Sequence, residues 1–287
     1  MTSQPNDKQC FGQLFVVATP IGNLADITYR AVEILKNADL IAAEDTRTSH
    51  RLCKRYAITT PMIACHEHNE SSIGQKLMPL LESGKNIALI SDAGTPLISD
   101  PGFVLVRELH RHGIRITPVP GPCSPIAALS ACGLPADHFT FMGFLSRAGK
   151  ARRQQITDIA TASFTHIILE SPKRLLHTLD DLIDRCGPDR QACVAREITK
   201  IHETFICGTL NEVKNKLDST VRGEIVVLIG PYEGKEMISD EEIILMLAQE
   251  ETKKLPPSAR ARHVAQQLNI SRSRAYALLM QDQEKKI

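Results

Sequence analysis

Residues 119–135 read VPGPCSPIAALSACGLP, and the change of character inside this stretch divides the chain. It opens with three prolines around one glycine (Pro120, Gly121, Pro122, Pro125). Fixed φ angles and missing backbone donors stop both helix and central strand there. It closes as a run of small residues with helical composition. A stiff connector leading into a small-residue helix suits a hinge between lobes, so one α/β lobe is expected over residues 1–120 and a second over 121–232.

Upstream of the hinge, apolar runs rich in β-formers alternate with helical periodicity, the pattern of a parallel sheet with crossover helices. QLFVVAT (13–19), DLIAA (39–43), PMIAC (61–65), NIALIS (86–91) and IRITPVP (114–120) read as strands. Asp26 is expected to cap a first helix with Ile27, Ala31, Ile34, Leu35 and Ala38 on one face. A second helix carries Ile73, Leu77, Leu80 and Leu81 and is closed by Gly84; a third spans 103–112. Downstream, HFTFMGF, HIILES, ACVAREI, ETFICG and GEIVVLIG read as five more strands, with helices at 152–160, 172–185 and 210–217. Several of these strands follow one another directly, so the second sheet is expected to be mixed. Residues 233–287 read as a smaller helical unit.

Composition narrows the class. Of 287 residues, 43% are apolar, enough for two cores. No stretch reaches the roughly 18 apolar residues of a membrane span, and the start MTSQPNDKQCFGQ lacks the pattern of a secretory leader. A cytoplasmic protein without a membrane partner is expected. The eight cysteines form no C-x-x-C pair, so neither a zinc site nor a disulfide framework is indicated. His66 and His68 in CHEHN do not amount to a metal site.

Ligands of parallel sheets bind beyond the carboxyl ends of the strands. Here those ends lead into PIGNLADIT, EDTRTS, HEHNES, SDAGTPLISDPG and PGPCSP, which hold most of the first lobe's glycine, proline, hydroxyl and acidic residues. Neither G-x-G-x-x-G nor G-x-x-x-x-G-K-[ST] occurs, which argues against a dinucleotide fold or a P-loop. In SDAGTPLISDPG, Gly94 and Gly102 permit close backbone approach, while Pro96 and Pro101 stiffen the turns. Asp92 and Asp100 suit turn caps or partners for a cation.

The ordered set VVATPIGNLADIT, AAEDTRTS, LISDAGTPLISDPG, PVPGPCSPIAAL, ILESPKRLLHTL, AREITKIHE and GEIVVLIG closely resembles the ribosomal small-subunit RNA methyltransferase I family. That family is the RNA-modifying branch of the tetrapyrrole methylase superfamily. The resemblance runs from about residue 14 to 230. It implies a two-lobed tetrapyrrole-methylase-like fold of α/β class, with a parallel-sheet N-terminal lobe, a mixed-sheet C-terminal lobe and a small helical C-terminal unit. It also implies S-adenosylmethionine in the cleft, a homodimer, and 2′-O-methylation of a cytidine ribose in the decoding region of 16S rRNA in the small ribosomal subunit. By matching positions, Pro20, Gly94, Thr95, Ile98, Ser124 and Ala127 fall to the cofactor from the first lobe. Met142, Gly143, Leu169, Glu170, Gly223 and Glu224 do so from the second. Thr95 stands where tetrapyrrole-modifying relatives usually carry aspartate.

Methyl transfer to a ribose hydroxyl requires in-line positioning and loss of a proton. Glu44 and Asp45 are candidate bases and Arg47 a candidate oxyanion or phosphate partner; capping of the following helix is the competing role. Lys173 and Arg174 in ESPKR, and Arg196 and Lys200 in REITK, are candidates for phosphate contact. So are Arg147, Lys150, Arg152 and Arg153 in SRAGKARRQ, a basic segment with no acid. Residues 252–287 carry eight Lys/Arg against two Asp/Glu. Within them SARARHVAQQLNISRSRAYALLM reads as helix–turn–helix, with Ser258 and Ser271 as caps and Arg272 and Arg274 at the start of the second helix, facing RNA. Two alternatives remain at this level: a methyltransferase of the same superfamily acting on a small tetrapyrrole-like acceptor, or a non-catalytic RNA-binding protein.

Overall fold

The structure is a computed structural model that describes residues 11–218, 221–232, 240–249, 255–268 and 272–284. The chain forms two compact units, Met1–Tyr232 and Glu233–Ile287.

The first unit begins with a five-stranded parallel sheet in the order β3-β2-β4-β1-β5. Its strands are β1 (Gln13–Val17), β2 (Leu40–Ala43), β3 (Met62–Ala64), β4 (Ile87–Ile90) and β5 (Arg115–Val119). Helices α1 (Tyr29–Asn37), α2 (Thr46–Tyr56), α3 (Glu70–Glu82) and α4 (Phe103–Arg111) make the crossovers. Strand alternation sorts the core: Val17, Ile41, Ala43, Ala88 and Ile90 pack with Ala31, Leu35, Leu52 and Cys53 on one face. Leu14, Ala42, Ile87 and Leu89 pack with Ile73, Leu77, Leu81, Leu105 and Leu109 on the other. Strands buried on both faces explain why the sequence shows apolar runs rather than polar alternation.

The second sheet follows α5 (Ser124–Ala131), in the order β6-β7-β10-β8-β9. Its strands are β6 (Phe139–Phe144), β7 (Thr165–Glu170), β8 (Gln191–Arg196), β9 (Thr204–Thr209) and β10 (Ile225–Ile229). Only β6 and β7 pair in parallel; the other three pairings are antiparallel. Helices α6 (Gly149–Thr161), α7 (Leu175–Cys186) and α8 (Leu210–Lys216) cover one face through Ile156, Ile159, Leu179, Leu182 and Val213. The opposite face, carrying Ile167, Cys193, Ala195, Val226 and Leu228, is covered by Ala128 and Leu129 of α5 together with Ile21 from the loop after β1. Apolar burial thus ties the loop after β1 to the second sheet.

In the second unit, α9 (Asp240–Leu247), α10 (Pro257–Gln267) and α11 (Arg272–Glu284) bury Ile243, Leu247, Val264, Leu278 and Leu279 together.

Three local expectations are corrected. The first helix is capped by Thr28, whose Oγ1 accepts from Ala31 N at 3.1 Å, and Asp26 belongs to a preceding 3-10 turn. The N-cap of α10 is Pro256, which makes Pro257 the first helical residue rather than Ser258 the cap; Ser271 lies outside the described residues. Arg152 is not available to RNA. It is 5% exposed, and its Nη2 donates to Asp181 Oδ2 at 2.6 Å and to Thr178 Oγ1 at 3.1 Å. The basic segment enters α6 at Gly149, and the helix turns Arg152 inward on the same face as Ile156 and Ile159. Arg147, Lys150 and Arg153 stay exposed.

Removing one partner of such a pair leaves the other uncompensated. Arg152→Ala is therefore expected to cost about 3 kcal/mol of unfolding free energy, read from urea denaturation. Arg153→Ala, at an exposed neighbouring position, is expected to change stability by less than about 0.5 kcal/mol.

Candidate active site

The loops after β1, β4 and β5 are laced together by backbone and hydroxyl groups. Thr19 N donates to Gly94 O at 2.8 Å and Gly94 N donates to Thr19 O at 3.0 Å, closing an isolated antiparallel bridge. Thr19 Oγ1 donates to Ser91 O at 3.1 Å, and Thr95 Oγ1 donates to Pro122 O at 3.1 Å. Gly94 has φ +86°, and a Cβ on it would meet Ile21 Cγ2 at 3.3 Å. The position requires glycine for conformation and for space.

The loop between β8 and β9 reaches back from the second sheet. Asn23 N donates to Thr199 Oγ1 at 3.0 Å, and Glu224 N donates to Glu197 Oε1 at 3.0 Å. Lys200 Nζ lies 2.9 Å from Glu197 Oε1 and 3.3 Å from Glu224 Oε2. Glu197 and Thr199 hold positive φ (52° and 68°), as do Leu97 and Ser99 (74° and 68°) in the loop after β4. Left-handed backbone is uncommon in such residues, above all in a β-branched threonine, and is found where surroundings enforce it.

Two adjoining cavities open between these loops. The first, about 360 Å³, is lined by Ile21, Ile98, Leu169, Ile198 and Val226 on its apolar side and by Ser99, Asp100, Ser124, Glu170, Ser171, Gly223 and Glu224 on its polar side. Among the described residues no Lys or Arg lines it, whereas three carboxylates do. Glu170 is held by Ser171 N at 2.7 Å and Thr178 Oγ1 at 2.6 Å, with Arg174 Nε at 3.5 Å behind it. Burial pushes the Asp100 carboxyl up to about 6, with the nearby charges of Glu44 and Asp92 adding to the effect against a hydrogen bond from Ser91. Glu170 and Glu224 are paired with Arg174 and Lys200, while Asp100 has no ion pair among the described residues; apolar walls with such an acid suit a cationic ligand that carries a large apolar or heteroaromatic body. S-adenosylmethionine, a sulfonium with an adenosine, fits that description.

Of the cofactor positions expected from sequence, Ile98, Ser124, Leu169, Glu170, Gly223 and Glu224 line this cavity. Pro20 lines the second, and Gly94 and Thr95 build the loop that frames both. A Cβ on Gly143 would meet Ser99 Oγ at 3.1 Å, so Gly143 lets β6 approach the loop after β4. Met142 packs on the core of the second sheet, and Ala127 N bonds Cys123 O inside α5. The sequence reading missed Ile21, Ser99, Ser171 and Ile198, and left Asp100 between capping a turn and partnering a cation.

The second cavity, about 430 Å³, shares Ile21, Ala93 and Glu224 with the first and is otherwise lined by residues including Thr48, Ser49, Arg51, Asp92 and Lys200. Glu44, Asp45 and Arg47 line neither cavity. Asp45 caps α2 by accepting from Arg47 N at 2.8 Å, and its bonds to the Arg47 guanidinium hold its carboxyl down at about 2. Glu44 Oε2 accepts from Asp92 N at 3.1 Å. Asp45 thus fills the capping role weighed against catalysis, while Glu44 ties the loop after β4. Lys173 is exposed, Arg196 half-buried, and Arg174 Nη2 donates to Leu145 O at 3.0 Å. Arg272 is exposed on α11, and the Arg274 side chain lies outside the described residues.

Residues 13–214 match the model of the family Tetrapyrrole (Corrin/Porphyrin) Methylases. The chain belongs to this family. It is 44% identical, over 93% of its length and 91% of the relative's, to the ribosomal RNA small subunit methyltransferase I of Mesorhizobium japonicum. To the protein of the same name from Pseudomonas aeruginosa it is 50% identical, over 80% of its length and 84% of the relative's. Among solved structures, the uroporphyrin-III C-methyl transferase of Thermus thermophilus complexed with S-adenyl homocysteine superposes with a TM-score of 0.54. It is 21% identical, over 76% of this chain and 97% of that one. The family resemblance and the two-lobed α/β architecture read from sequence are therefore borne out, and the chain is a methyltransferase.

Because Asp100 holds its proton more tightly in the folded protein than in the unfolded chain, its ionised form costs stability above pH 6. That cost fades as pH falls towards 4. Asp100→Asn is expected to raise the thermal midpoint by a few degrees at pH 8 and leave it unchanged at pH 4. The same substitution is expected to weaken S-adenosylmethionine binding about tenfold by calorimetry at pH 8.

Proposed function

We propose that the chain transfers a methyl group from S-adenosylmethionine to the 2′-hydroxyl of a cytidine in the decoding region of 16S rRNA. The first cavity carries this reading: an apolar, acid-lined space with no Lys or Arg among the described residues of its wall, inside a chain whose relatives are named ribosomal RNA small subunit methyltransferase I. When bound, S-adenosylmethionine supplies an electrophilic methyl group on a sulfonium. Asp100, which has no ion pair among the described residues, favours that positive charge, while Ile21, Ile98, Leu169 and Val226 keep water from the body of the cofactor. Gly94, Thr95, Ser124 and Gly223 set the backbone around it.

The acceptor hydroxyl must lose a proton. With Glu44 and Asp45 committed to backbone donors, Asp100 becomes the carboxylate suited to the role, since a pKa of about 6 lies nearer the working pH of a general base than an ordinary aspartate does. Arg147, Lys150, Arg153, Lys173, Arg196 and Arg272 are the side chains left for the RNA backbone, each exposed or half-buried. Arg174 and Lys200 act first through Glu170 and through Glu197 and Glu224. The working division is a first lobe over 1–120, a second over 121–232 and a helical tail that adds RNA contact.

A homodimer in the cytoplasm completes the reading. Large apolar side chains stand exposed on β6, at Phe139 and Phe144, and at Phe103 on α4, which a second copy could cover. No helix among the described residues is long and apolar enough to cross a membrane.

Tritiated methyl transfer to small subunits and to protein-free 16S RNA from cells lacking this protein tests the proposal. Label recovered as 2′-O-methylcytidine is the expected result. Label in a methylated base, or transfer only to a small tetrapyrrole, would overturn it.

A further inference from the structure

The second cavity has a different chemical character from the first. Its charged lining is balanced, with Arg51 and Lys200 against Asp92 and Glu224, and Lys200 already lies against Glu197 and Glu224. A phosphate would gain little there. A neutral ligand rich in donors and acceptors suits the wall better. Ile21, Leu24 and Leu52 supply an apolar side, and Thr19, Thr48, Ser49 and Ser91 supply hydroxyls.

Ser49 is the telling residue. It lies in the first turns of α2, is only 4% exposed, lines this cavity, and its Oγ has no hydrogen-bond partner. A buried hydroxyl without a partner carries a desolvation cost, and native proteins rarely leave one unpaired. It fits a group that is satisfied only when a ligand arrives. Beside it, Asp92 presents a carboxylate whose Oδ1 is fixed by Asp45 N at 3.1 Å. That bond, with a further one from the Thr48 side chain, holds the carboxylate in place, and its two oxygens keep acceptor capacity beyond these two bonds. Ile21, Ala93 and Glu224 belong to both cavities, so a ligand in the second is a neighbour of one in the first.

Resting on the proposed function, we infer that this second cavity holds the base of the target nucleotide, with Ser49 bonding the cytosine ring and Asp92 accepting from its exocyclic amine. A carboxylate accepts from the N4 amine of cytosine and repels the O4 carbonyl of uracil. The cavity thereby selects cytidine for methylation, although the reacting hydroxyl lies on the sugar and is the same in both nucleosides. The target nucleotide leaves its stack to enter, as bases do in enzymes that act on individual nucleotides.

The test measures kcat/KM for the full-length enzyme on unmodified small subunits bearing either the native cytidine or a uridine at the target position. Wild type, Ser49→Ala and Asp92→Asn are compared, each with its S-adenosylmethionine affinity and thermal midpoint. Wild type is expected to prefer cytidine about ten- to a hundredfold. Ser49→Ala is expected to lose about tenfold on cytidine with unchanged cofactor affinity and an equal or higher midpoint, because it removes an orphaned hydroxyl. Asp92→Asn, which can still accept from Asp45 N, is expected to lose most of the preference for cytidine over uridine. Both variants matching wild type on both substrates would overturn the assignment of the cavity while leaving the proposed function intact. An absence of ribose label in both wild-type arms would instead overturn the proposed function and this inference with it.

Discussion

The reciprocal backbone bonds between Thr19 and Gly94, at 2.8 and 3.0 Å, are the constraint on which the site depends. Loops at the ends of parallel strands have backbone groups that neither sheet nor helix satisfies, and burying them unpaired is costly. Here the loop after β1 and the loop after β4 satisfy one another. The bridge carries Ile21 forward onto the second sheet, beside Ile167, Ala195 and Val226. One pairing therefore closes the first lobe's loops, attaches them to the second lobe and leaves Ile21 as part of the wall of both cavities.

The second sheet answers with its own loop. Glu197 and Thr199 stand in left-handed conformations, with Glu197 N bonded to Glu224 O at 3.0 Å and Thr199 N to Glu203 Oε2 at 2.6 Å. Thr199 then receives the Asn23 amide. A Cβ on Gly22 would fall 2.6 Å from Lys200 Cγ, so the two loops meet at a separation that only glycine allows. Strain in one loop and close approach in the other are the two sides of the same contact.

All ten strands were legible, because apolar runs bounded by turn residues survive any tertiary detail. The two sheets also followed, since a parallel sheet needs long crossovers and the short link between β8 and β9 leaves no room for one. The candidate site was legible where matching positions carried it, as at Ile98, Ser124, Glu170 and Gly223. It was obscure where a role depends on a distant partner. Arg152 looks like one more RNA-facing cation until Asp181, a turn and a half into α7, is seen beside it. Ser49 looks like a surface serine in a polar helix, because nothing local reveals that its hydroxyl is buried and unpaired. Asp100 carries no local sign that Glu44 and Asp92 will crowd it.

Thr95 shows how the site's charge is arranged. Its hydroxyl donates to Pro122 O and thereby fixes the loop after β5 against the loop after β4. An ionised aspartate at this position would have no proton to give that carbonyl, and two acceptors would face each other. The hydroxyl is thus required for the loops to close as they do, and negative charge near a bound cation must come from elsewhere. Asp100, five residues along the same loop, lines the cavity and supplies it. The loop separates fastening from electrostatics, so a neutral residue at position 95 is compatible with a cavity that attracts a cation.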